Sequence, residues 1–497
     1  MMQKLISSAQ MSAADAFTIQ KKEITAIDLM EAAAQGFIQT FVQELTDKTT
    51  AIALLCGKGN NGADGLSIAR LLKEEGYTDL TVYLVDFSAK ETPEYKVNLE
   101  RLQELWFPTT LIQEPAAILA VKAPVIIDAI LGSGLNKPLT GNYLELVNLV
   151  NSLNRQVIAV DVPTGFPSEG VIAKDNVCLQ ADLVICFQRP KINFFFPESV
   201  TALARFRVAD IGLDEAFIQS TESAYQLMDG DVIRQLVKPR KLFTHKGTYG
   251  HALIIAGQKE TMGAALLSAK AALHTGAGLT TLSIPSTGLT ALNATLPEVM
   301  YLDRAVLGSA ELDKFKVTAV GPGLGTDDEA TALLSKLLQL KKPMVIDADA
   351  LNIMAQKKEL LKLLTPDSVL TPHMKEFDHL FGKHDSWWER LEMARQVAKI
   401  KSCVIVLKNQ YTFVVDQEGL VTINPTGNPA MAQGGMGDVL TGIISSFIAQ
   451  GYTAIEAAQI GCYLHGKAGD ELAELQIVVT ASQLAERLSV TLKGLII

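Results

Sequence analysis

Several common site signatures are missing from this 497-residue chain. There is no CxxC: Cys56, Cys178, Cys186, Cys403 and Cys462 are scattered and read as reduced, mostly buried thiols of an intracellular protein. No two histidines have zinc-site spacing, which rejects a metal triad. No GxxxxGK(S/T) occurs, so if the chain uses ATP it is not a P-loop protein. No apolar run approaches the ~18 residues of a membrane span, and MMQKLISSAQMSAADAF has no apolar leader core. A soluble cytoplasmic chain without a membrane partner is therefore expected. Basic blocks are absent too, and 44 Lys+Arg against 54 Asp+Glu give a net charge of −10, which argues against nucleic acid as a main partner. Internal repeats and low-complexity segments are also lacking.

What is present is enough apolar residue, 48%, to fill two cores. At this length two domains of ~200–250 residues are the prior. Ser12 and Thr25 are candidate caps for two N-terminal helices. Short apolar runs then alternate with helical stretches: 51–56, 80–85, 125–130, 157–161, 181–187 and 204–208 read as strands. A polar stretch at 214–223 reads as the boundary, giving domains 1–222 and 223–497. A second series follows, with strands at 251–256, 279–284, 319–320, 344–347, 368–371 and 404–407 and a hairpin around Gln417-Glu418-Gly419. The expected class is α/β, each half a parallel sheet covered on both faces, with sites at the strand C-terminal ends.

Two glycine-rich turns carry chemistry. Gly434-Gly435-Met436-Gly437-Asp438 precedes a helical run. Glycines at a helix start turn backbone N–H groups toward one point, where the dipole favours an anion. A carboxylate beside an anion is repelled, unless Asp438 is a base that deprotonates a hydroxyl attacking a phosphoryl group. The plain alternative is a helix cap. In the first half Gly57-x-Gly59-x-x-Gly62 follows a strand and precedes a helix, with Asp86 near where a ribose-binding acid would fall. A nicotinamide-dependent oxidoreductase is one reading; Asn60, Asn61 and Asp64 weaken it by placing side chains where a pyrophosphate would approach. Asn61, Asp128 and Thr164 stand at three strand ends, hard oxygen donors suited to an alkali or alkaline-earth cation. Alternatively, Asn60 and Asn61 satisfy turn backbone and Asp161 caps a turn. In the second half Asp347, Asp349 and Asn352 are candidates to order Mg²⁺ or water, with an N-cap at Asp349 the alternative. His373 is a ligand contact, a general acid or a cap. The small residues around Ala264 fit helix packing better than a ligand.

GKGNNGADG, DAILGSGLNKPLTG and DVPTG, with the MSAADAF…LMEAAA lead-in, resemble the NAD(P)H-hydrate epimerase family over nearly all of residues 1–220. The resemblance implies a Rossmann-like doubly wound fold. It implies that Asn60, Asn61, Gly62, Ala63 and Asp64, with Gly132, Ser133, Gly134, Leu135, Asn136, Lys137 and Pro138, bind the hydrated dinucleotide. Asn61, Asp128 and Thr164 would hold K⁺, and Asp161 would contact the substrate and transfer a proton at the damaged ring. Thr164 stands where serine is more usual, which keeps the hydroxyl.

HKGTYGHALIIAG, GPGLG, DADALN, LTPHMKEF, LKN and NPTGNPAMAQGGMGD are similar to the ADP- or ATP-dependent NAD(P)H-hydrate dehydratase family, of ribokinase-like fold, over residues 225–497. The resemblance places the substrate on Ala264, Gly323, His373 and Asp438. It places the adenine nucleotide, with Mg²⁺, along Lys408, Asn409, Gln410, Tyr411 and Thr412. The same nucleotide would run along Asn428, Pro429, Ala430, Met431, Ala432, Gln433, Gly434, Gly435, Met436 and Gly437. Met436 replaces a frequent threonine, Asn409 a usual glycine, and Met374-Lys375 a Pro-Gly. The two halves together imply one repair task on NAD(P)H hydrates, with Asp161 and Asp438 as the catalytic residues; a homo-oligomer is expected. A small-molecule kinase in the second half and a non-catalytic binding module in the first are the other readings.

Overall fold

The computed structural model describes residues 2–134, 137–307 and 309–496. It separates into two compact units. One is Lys4–Ser223 with Ser386–Trp388; the other runs from Ala224 to Asp385 and onward from Glu389, with the residues up to Gln3.

In the first unit seven strands lie in the order Thr109–Ile112, Leu80–Val85, Ile52–Cys56, Val125–Ala129, Gln156–Val160, Leu183–Phe187, Phe206–Ala209. Every pairing is parallel. All residues of Ile52–Cys56 and Val125–Ala129 are buried, as strands covered on both faces must be. The chain winds outward from Ile52–Cys56 on one side, then crosses back to Val125–Ala129 and winds outward on the other. The crevice at such a reversal is where open α/β sheets bind ligands.

Two local readings are corrected here. Ser7, not Ser12, caps the first helix, Ser8–Lys22: its hydroxyl accepts from Gln10 N–H and the Gln10 side chain returns the bond. Thr25 caps Ala26–Glu44 as expected. The glycine turn after the first strand is also shorter than its composition implies, because the helix Asn60–Glu74 already begins at Asn60. A Cβ at Gly62 would fall inside the Gly57 carbonyl, so only glycine lets the helix leave the strand this abruptly.

The second unit's sheet runs Tyr225–Leu227, Val421–Ile423, Phe413–Val415, Val404–Leu407, Val369–Leu370, Met344–Ile346, Val317–Val320, His251–Ile255, Leu279–Ser283, Met300–Tyr301. The hairpin strand Phe413–Val415 is antiparallel to both neighbours. Its winding reverses between His251–Ile255 and Val317–Val320. The strand Tyr225–Leu227, three half-buried residues, gives no alternating pattern to read.

Helices Met262–Thr275 and Met436–Ala449 pack against each other through small residues. Ala265, Ala269, Ala271 and Ala272 are fully buried, and a Cβ at Gly442 would overlap the Ser268 carbonyl. Ser268 Oγ also donates to the Asp438 carbonyl at 2.9 Å, so this contact sets the start of the second helix. Gly442→Val is expected to destabilise the unit by about 1–3 kcal/mol through overpacking, read as a lower thermal midpoint.

Candidate active sites

Each unit has a cavity at strand ends, and the first unit's lies at its reversal. This first cavity is about 470 Å³. Asn60, Asn61 and Asp64 enter it from the helix after Ile52–Cys56; Gly132, Ser133 and Gly134 come from the loop after Val125–Ala129; Asp161 comes from the end of Gln156–Val160. The first helix adds Ser8, Met11, Ser12 and Asp15, and Lys191 follows Leu183–Phe187. Gly62 and Ala63 are buried and do not line it. Lys137 and Pro138 are exposed and also away from the lining, while Leu135 and Asn136 lie outside the described residues.

Asp161 sits on strained backbone. Its φ is +66°, and Val162 N–H donates to Val160 O at 2.8 Å across it. This is the uncommon, strained kind of three-residue turn. The neighbouring strand ends alike: Gln188 has φ +57° and Arg189 N–H donates to Phe187 O at 2.6 Å. Phe187 N–H donates to Asp161 Oδ1 at 3.1 Å, and Lys191 Nζ lies 2.7 Å from the same oxygen. Burial pulls the Lys191 pKa down, but Asp161, Cys186 and Asp15 together outweigh it and the value is raised, so the ammonium stays charged. Strain held in place by such contacts is concentrated at functional positions.

Two further carboxyls share the cavity. Asp15 is pushed up to about 6, first by loss of hydration, then by the charge of Asp161, against the pull of Lys191. Asp64 is pushed well above the carboxylate range by burial, then by Asp161 and Asp15. Asp86, by contrast, is ion-paired with Lys58 and does not line the cavity, which leaves the glycine turn without a ribose-binding acid from that strand.

Asp128 is fully buried. Thr164 N–H and Oγ1 each donate to it at 2.7 Å, and Ile130 N–H at 3.2 Å. Burial lifts its pKa to about 6 in spite of these bonds. Asn61 Nδ2 donates to Val160 O at 2.9 Å, while its buried Oδ1 has no hydrogen-bond partner. A buried acceptor left orphaned is destabilising, and an unpartnered hard oxygen fits a cation.

In the second unit a cavity of about 270 Å³ is lined by Lys408, Asn409, Gln410, Thr412, Asn428, Pro429, Met431, Ala432, Met436 and Gly437. Tyr411, Ala430, Gln433, Gly434 and Gly435 are not among the lining residues, whereas Asn424, Thr426 and His465 are. Gly435, at φ +89°, turns the chain into Met436–Ala449, whose first amides have no intrahelical acceptor. Asp438 stands in that first turn. Beside it, Lys408 Nζ lies 2.9 Å from Asp347 Oδ1 and 4.0 Å from Glu376 Oε2, and Thr441 Oγ1 donates to Asp347 Oδ2 at 2.7 Å. Burial, then Asp347, push Asp438 up to about 6 while Lys408 pulls the other way. A carboxyl titrating near neutrality beside a fixed cation and free amides can take a proton from a hydroxyl attacking a phosphoryl group.

Asp347, not Asp349, is the N-cap of Ala348–Gln356; Asp349 Oδ2 instead accepts Gly325 N–H at 2.8 Å. His373 caps Met374–Phe381 in a reciprocal box with Glu376, and its imidazole remains half-exposed. Thr261 joins Ala264 and Gly323: its Oγ1 donates to Gly323 O at 2.7 Å, and its carbonyl accepts Ala264 N–H at 3.2 Å.

Residues 26–193 match the family model described as YjeF-related protein N-terminus, and residues 252–490 the one described as NAD(P)H-hydrate dehydratase. The bifunctional NAD(P)H-hydrate repair enzyme of Moorella thermoacetica is 33% identical over 99% of this chain and 97% of its own. The chain belongs to the bifunctional NAD(P)H-hydrate repair enzyme family. The Escherichia coli member is 32% identical over 90% of this chain and 86% of its own. A solved ribokinase-like superfamily protein from Enterococcus faecalis superposes with a TM-score of 0.52 at 29% identity, covering 55% of this chain and 98% of that one. Within this repair-enzyme chain, sequence reasoning missed Asp15, Lys191 and His465. Asp15 lay inside the MSAADAF lead-in but had no partner in view. His465 comes from a later helix; its Nε2 lies 3.1 Å from Met436 O, and burial lowers its pKa to about 4, so it stays neutral.

Proposed function

We infer that this chain restores nicotinamide cofactors damaged by hydration. Residues 1–222 interconvert the R and S epimers of NAD(P)H hydrate. Residues 223–497 dehydrate the S epimer at the expense of ADP or ATP, giving AMP or ADP and phosphate. The end-to-end likeness to bifunctional repair enzymes carries this reading, and the two separate strand-end cavities support it.

Hydration leaves a hydroxyl at C6 of the reduced ring. Hydroxide leaves poorly and phosphate leaves readily, so phosphoryl transfer to that hydroxyl prepares the elimination. Asp438 takes the hydroxyl proton, and the amides of the Gly434–Gly437 turn stabilise the transferring charge. Lys408, held charged by Asp347 and Glu376, adds a fixed cation. Asp347 and Asp349 would be the carboxylates that order Mg²⁺, which would supply counter-charge to the nucleotide phosphates. In the first unit Asn61 Oδ1, Asp128 and Thr164 would hold K⁺, which supplies a fixed positive charge beside the bound dinucleotide.

Incubating mixed hydrate epimers with ADP, then with ATP, while following absorbance of the restored ring tests the whole reading. Complete recovery is expected. Recovery that stops at the S fraction would remove the epimerase, and accumulation of a phosphorylated product instead of free phosphate would point to a small-molecule kinase. Replacing K⁺ by choline should slow R-to-S conversion, and Asp128→Asn should remove that response; equal rates in both salts would discard the potassium assignment.

A further inference from the structure

We propose that Asp15 is the second acid–base group of epimerisation, acting opposite Asp161. This rests on the epimerase reading of the first cavity. Inversion of C6 by dehydration and rehydration has the hydroxyl leave from one face and water return on the other. A proton passes to the departing hydroxyl, the C6–O bond breaks, water leaves, and the ring-nitrogen lone pair forms a C=N bond. Water then adds to the opposite face and gives up a proton to a base. Atoms and electrons balance with no oxidant, and the reaction needs one carboxyl that carries a proton and one that does not.

Asp15 and Asp161 reach the same cavity from different elements, the helix Ser8–Lys22 and the end of Gln156–Val160. Their environments differ in the way that separates an acid from a base. Asp161 Oδ1 is paired with the Lys191 ammonium at 2.7 Å. Asp15 has no ion-pair partner among the described residues, and burial and the Asp161 charge hold its proton up to about 6, near the working pH. Asp64, the remaining carboxyl facing the cavity, is raised by burial, then by the charges of Asp161 and Asp15. In the reverse direction Asp15 and Asp161 exchange roles.

The test uses the full chain and purified R hydrate without nucleotide, with S hydrate measured by chromatography above the uncatalysed rate. Asp15→Asn should lower kcat by about 10²-fold or more with little change in KM. The falling limb of the pH–rate profile near 6 should disappear, and Asp15→Glu should restore part of the rate. Nucleotide-dependent dehydration of S hydrate by the same preparation reports an intact chain. An Asp15→Asn protein that keeps more than about half of the epimerase kcat overturns the proposal. So does one that slows while keeping the limb, since that marks a packing role. Absence of epimerase activity in the unsubstituted chain would instead overturn the reading of the cavity itself.

Discussion

Asp438→Asn is expected to abolish nucleotide-dependent recovery of NADH while R-to-S conversion continues. Loss of a positioned base removes about 10²–10⁴-fold in rate. The asparagine keeps the shape of the side chain, so the amides of the glycine turn and the Lys408–Asp347 pair should remain in place. In the unsubstituted chain the base must be ionised, so dehydration should rise with pH through about 6, where burial and Asp347 set its proton. The same shift has a stability consequence. A carboxyl whose folded-state pKa lies above its unfolded value opposes folding once ionised. The penalty is complete above about 6 and absent below the ordinary value of 3.8. Two units correspond to at most about 3 kcal/mol. Asp438→Asn should therefore be more stable than the parent at pH 8 and equal to it at pH 3.5, by denaturant titration. Normal dehydration by this variant would sink the base assignment.

The sheets and most of their order-giving strands were legible because buried parallel strands are continuous apolar runs. Ile52–Cys56 and Val125–Ala129 needed no further context. Asp128, Asp161 and Asp347 were legible for a related reason. Each follows or ends such a run, where a charge has no place in a core and a strand end opens to the crevice, whereas Asp438 was legible from the glycine turn ahead of its helix. Residues on other elements were not. Asp15 is one polar position on a weakly amphipathic helix, and only the tertiary fold brings it near Asp161. The left-handed backbone at Asp161 and Gln188 was equally hidden, since neither residue type announces a positive φ as glycine does. Cap positions failed by a few residues, at Ser12 against Ser7 and Asp349 against Asp347, because several capping residue types stand in tandem at both helix starts.

Asp161→Ala should stop R-to-S conversion alone, and it should also destabilise the first unit. Lys191 is buried and loses its counter-charge in that variant. Leaving one member of a buried pair uncompensated costs about 3–5 kcal/mol. Phe187 N–H loses its acceptor as well. An inactive Asp161→Ala protein would therefore be ambiguous between chemistry and unfolding. The double variant Asp161→Ala/Lys191→Met separates them, because it removes the stranded charge and fills the space with an apolar chain. The double variant is expected to regain most of the stability and none of the epimerase rate. Dehydration of S hydrate should be unchanged in both variants, since Asp438 and the cavity beside its helix start, which Asp438 itself does not line, lie in the other unit. Recovery of epimerisation in the double variant would show that Asp161 only neutralises Lys191, and would move the proton transfer to another carboxyl of the cavity.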